Sequence, residues 1–173
     1  AIQHFAAGVV FAAAAGEIMP DVAHSGSPIA TIVGGFAGIG VMLAIRQLER
    51  VMKGSAGLLT LVGVDILIDG LVLGIAFAAG AQAGLLLTIA LSVEVLFLGL
   101  AVTTELSETV KSKMRIVLII AALVVLLPVG AFIATPVASL PAHYITGFLS
   151  FGLIALLYLV TEELLVEAHE TPD

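Results

Sequence analysis

The sequence has no cysteine, and only 11% of its 173 residues are charged. Without cysteine there is neither a disulfide framework nor a thiolate metal site. Six Lys and Arg stand against thirteen Asp and Glu, a net charge of −7, which argues against nucleic-acid binding. Long polar stretches and low-complexity linkers are also missing. The opening "AIQHFAAGVV" carries no basic n-region, no secretory cleavage site and no start Met, as expected of a processed or trimmed piece. What remains is oily: 61% of residues are hydrophobic and the mean hydropathy is +1.24. A soluble domain is about half apolar and about a quarter charged. So few charges do not cover so much apolar surface, and the solvent for most of this chain is lipid.

Each bilayer crossing takes about 20 apolar residues. Six stretches qualify, near 4–20, 28–47, 57–79, 84–105, 115–135 and 144–166. The expected fold is an all-α integral membrane protein, a single six-span helical bundle over 1–173. Turn chemistry marks the breaks: "PDVAHSGSP" with Pro20 and Pro28 at its edges, "RVMKGSAG", the tight "GAQAG", "SETVKSK" and "TPVASLPAH". All six basic residues (Arg46, Arg50, Lys53, Lys111, Lys113 and Arg115) fall at the breaks after spans two and four. With six spans these breaks share one side, which the positive-inside rule makes cytoplasmic, along with both chain ends.

Three acids interrupt this pattern at membrane depth. Asp65 and Asp69 lie near the middle of span three, and Glu94 near the middle of span four. Each costs at least about 2.5–3.5 kcal/mol on insertion scales, and such residues mark ion or proton pathways by default. The i, i+4 spacing sets Asp65 and Asp69 one turn apart on one helix face, where like charges repel unless one is protonated or a cation lies between them. No Lys, Arg or His in spans three and four offsets them. The bland alternative is a set of protonated acids bonding across helices. Glu17 borders the membrane at the outer end of span one, and Glu162 and Glu163 at the inner end of span six; near an interface the solvated helix end is the stronger reading, and for Glu162 and Glu167 it stands about even with a functional role. His4, His24, His143 and His169 read as interfacial, with His24 and His143 as weak candidates for capturing metal at the outer mouth.

Two short matches suggest internal repetition. Asp65 precedes Gly70 by five residues, as Glu94 precedes Gly99. Phe5 precedes Glu17 by twelve residues, as Phe151 precedes Glu163, and a second acid follows four later in each. Nested as inner and outer pairs of antiparallel spans, they suggest an inverted-repeat transporter with its site near the midplane. Gly70 and Gly99 are expected to admit a neighbouring backbone or to loosen the helix. The glycines of "GGFAGIG" in span two read as helix packing, and Pro128 in span five as a kink.

These residues resemble the ZIP family of divalent metal transporters. "HFAAGVVFAAAAGEIMPD" looks like that family's second helix. "VDILIDGLVLGIAFAAG" looks like its fourth, with the motif His-Asn-x-Pro-Glu-Gly-Leu-Ala, and "VEVLFLGLAV" like its fifth. "LIALLYLVTEELLVEAHE" looks like its seventh. The resemblance covers nearly the whole chain and implies helices two to seven of eight. Carried over by position, Asp65 stands at the helix-four His, Asp69 at its Glu and Gly70 at its Gly. Glu94 stands at the first ligating position of helix five, Glu163 at an acidic position of the metal path and Glu17 near the outer entrance. Ile66, Ile68, Val95, Phe97 and Leu98 replace family motif residues. The metal ligands implied are therefore Asp65, Asp69, Glu94, Glu163 and Glu17, all oxygen donors. Carboxylates suit harder cations such as Mn²⁺ or Mg²⁺, without excluding Zn²⁺ or Fe²⁺.

The expected function is transport of a divalent cation through a central carboxylate site between spans three and four. A ZIP-like membrane protein that binds or senses cations or a protein partner without transporting is the alternative. An intramembrane hydrolase is weaker, because no second motif positions substrate or water; no enzyme activity is expected. No prosthetic group is expected. The expected partners are bilayer lipid and the divalent metal as cargo, and a homodimer is compatible with the sequence.

Overall fold

The computed structural model describes residues 2–51 and 54–164. Among these every regular element is helical. α1 (Ile2–Ala13) runs through a π-helical turn, Ala14–Ile18, into α2 (Met19–His24). Then follow α3 (Pro28–Val51), α4 (Ser55–Ala79), α5 (Ala81–Thr109) and α6 (Lys113–Ala134). A 3₁₀ turn, Thr135–Ser139, leads to α7 (Ala142–Tyr158), which ends in a second π-helical turn, Leu159–Leu164.

All six expected spans are thus helical over their described residues, and among these residues five helices are long and apolar enough to cross a membrane: Pro28–Leu48, Ala56–Ala79, Ala81–Thr109, Lys113–Ser139 and Ala142–Thr161. The protein is a multi-pass membrane protein by this measure. The stretch near 4–20 is divided into three short segments, so it does not stand with the five. Its end also differs from expectation. Pro20 does not close the helix, which continues to His24. A proline ring presses on the carbonyl of residue i−4, here Gly16, and Gly16 lies in the wider π turn. The turn to α3 is made at Gly26, with φ +64°, and the approach to α4 at Gly54, with φ +83°, both in the left-handed region that favours glycine. α4 and α5 meet across a single residue, Gly80, so the hairpin is tighter than "GAQAG" suggests. α6 is continuous across Pro128.

α4 is the central helix, packed on α5, α6 and α7, while α3 leans mainly on α7. Small residues permit the two closest crossings. At Gly70 a Cβ would run into the carbonyl of Leu127, and at Gly130 into that of Leu67. Gly74 faces Ala131 and Ala134 in the same seam. On the other side Gly34 lies against the carbonyl of Gly147 and Gly38 against that of Phe151. Lipid gives helices no hydrophobic reason to associate, so close backbone approach supplies the contact energy. Ser150 of α7 adds a hydrogen bond to the Thr31 carbonyl of α3 at 2.7 Å.

The inner and outer helix pairs behave differently. Gly70 is pressed against α6, but Gly99 meets only Ile120 Cγ2 at an ordinary 3.8 Å. α4 crosses α6 closely, whereas α5 has no comparable crossing with α3. The outer pair is more alike. The first π turn packs on α7 and the second on α1, each carrying an acid of the expected match.

Candidate functional site

The buried apolar residues form two clusters. One gathers Val72, Leu73, Ile75 and Ala76 of α4 with Leu87, Ala90 and Leu91 of α5, together with residues of α1 and α7. The other holds Val62 and Ile66 of α4 with Val95, Val102 and Leu106 of α5. On both helices the acids fall between the clusters: Asp69 between Ile66 and Val72, Glu94 between Leu91 and Val95. The molecule therefore has a polar waist within an apolar core.

At this waist Asp69 is 3% exposed and Glu94 4%. Asp69 Oδ2 and Glu94 Oε2 are closed to solvent. Asp65 is half-buried. All three carboxylates are engaged by other groups of the protein. Their heights follow from the hairpin. Asp69 lies 11 residues and Asp65 15 residues before Gly80, and Glu94 lies 14 after it. At 1.5 Å per residue these are depths of about 16, 22 and 21 Å from the turn. Glu94 is thus nearly level with Asp65 and about one turn from Asp69.

Glu17 is half-buried inside the first π turn. The backbone of Glu163 belongs to the second π turn, and its side chain lies outside the described residues. These turns stand at opposite ends of the α1–α7 pair. π turns are rare and occur often at functional sites; nothing in the hydropathy pattern signals them. His24 Nδ1 donates to the Pro20 carbonyl at 2.7 Å. His143 stacks obliquely on Tyr144 at 4.1 Å between ring centres. The side chain of His4 and the whole of His169 lie outside the described residues.

Among the described residues, no three His, Asp or Glu side chains come together closely enough to hold a metal ion. Of the expected trio, Asp69 and Glu94 are buried and Asp65 is half-buried, at similar depths along the hairpin. Sequence reasoning did not single out Tyr158. Its hydroxyl is buried with no hydrogen-bond partner among the described residues, one residue before the second π turn. No protein-family model matches this chain, and no curated protein matches it. The ZIP resemblance rests on the motifs quoted above.

Proposed function

We propose that the chain is a divalent-cation transporter of the ZIP type, with Asp69 and Glu94 as the central ligands of the transported ion. One observation carries this reading. Two carboxylates from adjacent membrane-length helices, about one turn apart in depth, are almost fully buried where the apolar core divides into two clusters. Acids at that depth are costly and mark ion pathways. In this reading Asp65 is a third oxygen donor beside them. Glu17 guards the route from the non-basic face, and Glu163 the route to the basic face. The two π turns serve as the flexible joints of the outer helix pair, within a six-span, inverted-repeat bundle. Alternating access moves the α1–α7 pair against α4 and α5. An oxygen-only set favours Mn²⁺ or Mg²⁺ and admits Zn²⁺ or Fe²⁺.

A second reading is favoured by the missing third donor among the described residues. In it the acids are protonated interhelical contacts of a protein that binds cations or a partner without moving them. Proteoliposomes separate the two. Transport predicts saturable Mn²⁺ uptake that falls at least tenfold in both Asp69→Asn and Glu94→Gln, with both variants still folded. Undiminished uptake in both variants removes the carboxylate site, and no uptake by the parent chain favours the second reading.

A further inference from the structure

The first span buries one stripe at every fourth residue: Val10, Ala14, Ile18 and Val22. In an unbroken α-helix three steps of four residues drift about 120° around the axis. The π turn Ala14–Ile18 holds one extra residue and takes back about 100° of that drift. It is the reason Ile18 and Val22 stay in line with Val10. Ile18, 1% exposed, belongs to the cluster that holds Val72 and Ala76 of α4 and Leu87 and Leu91 of α5. Along both helices those residues lie between the Asp69–Glu94 waist and Gly80. The π turn itself packs on α5 and α7. An apolar plug thus closes the waist from the Gly80 end, and Glu17 is half-buried off the stripe.

The wide turn is closed by the Met19 N–H, which donates to the Ala14 carbonyl five residues back. Pro20, next in the chain, has no N–H to give. A wide turn that moves past Ile18 toward His24 therefore enters a ladder already short of one bond. Glu17 and Ile18 then return to α-helical phase with Val10. In that phase Glu17 lies about 20° from Val10 around the axis, and Ile18 about 80°. The stripe would carry a carboxylate where it now carries an isoleucine. We infer that the first π turn is a two-register gate. In the present register Ile18 seals the waist; a shift of the wide turn toward His24 exchanges Ile18 for Glu17 on the buried stripe. The exchange offers an entering cation an oxygen donor on the Gly80 side of Asp69 and Glu94. This inference rests on the transport reading and names the part that opens the site.

The full chain has no cysteine, so single substitutions report burial without background. In liposomes Ile18→Cys should react with N-ethylmaleimide at least tenfold faster than Val10→Cys and Ala14→Cys. Those two positions share the buried stripe but precede the moving turn, so a separation of whole helices would expose all three. Deleting Ala15 removes the extra residue and leaves Ile18 in line with Val10. In the deleted chain Ile18→Cys should react at least tenfold more slowly than in the full chain. Equal rates at the three positions, or the same Ile18→Cys rate with and without Ala15, overturn the gate. Hydrogen–deuterium exchange needs no cysteine: residues 14–20 should exchange at least tenfold faster in the parent than in the Ala15-deleted chain, and equal exchange overturns the gate too. The comparison of the three cysteine positions does not depend on the deleted chain folding. Labelling and exchange are read without flux, so failure here is distinct from failure of the transport reading, which Mn²⁺ uptake decides.

Discussion

At the scale of single residues, the account turns on how differently three acids are placed. Asp65 and Asp69 share a helix face, yet four residues turn the helix about 40° beyond a full circle. That offset, together with the neighbours each face meets, leaves Asp69 buried and Asp65 only half-buried. The depth of the acids was legible in the sequence because apolar runs fix the span and the span fixes the level. Their burial was not, because it depends on which helices cover which face. Asp69→Leu removes both carboxylate oxygens from the waist and is expected to lose at least tenfold of the Mn²⁺ uptake in proteoliposomes. Asp65→Asn should lose less uptake than Asp69→Asn, as initial rates measured side by side will report.

At the scale of helices, two glycines that look equivalent in sequence are not equivalent in space. Gly70 and Gly99 each follow an acid by five residues, but only Gly70 lies against a neighbouring backbone. Gly70→Val and Gly130→Val force α4 and α6 apart and should each destabilise the fold by about 1–3 kcal/mol or more. Gly99→Ala has room and gains helix propensity, so it should be neutral or stabilising by up to about 1 kcal/mol. Thermal melts of the purified variants check both. Glycine spacing was readable; the partner of each glycine was not, since the four-residue glycine seams of α3 and α4 select different neighbours, α7 and α6. The π turns were also invisible, because no residue pattern encodes them, and Pro20 looked like a helix end for the same reason. Each adds a residue to a helix that would otherwise continue. Deleting Ala15 is expected to restore α-helical register across Glu17, preserve folding and abolish cation uptake. Uptake at the parent rate would show that the first turn has no part in transport.

At the scale of the molecule, the apolar runs located each described long helix within a few residues, since lipid-spanning segments leave little freedom in length or composition. What runs of hydropathy do not carry is helix order in space. The outer pair of helices shows matching π turns and reciprocal contacts, while the inner pair has different neighbours. Orientation rests on the clustering of all basic residues at two breaks. Because the chain has no cysteine, a single introduced one reports its side without background. In intact cells an impermeant maleimide should label Gln82→Cys, next to the α4–α5 turn, and not Ser112→Cys, between α5 and α6. The reverse pattern would invert the topology.

The central claim is that a cation is held at the waist by Asp69 and Glu94. Anomalous diffraction from crystals soaked in Mn²⁺ tests this most directly. The account predicts a peak about 2.0–2.6 Å from carboxylate oxygens of both residues, absent from crystals of Asp69→Asn. Well-occupied peaks confined to the surface acids, with none between α4 and α5, would contradict it.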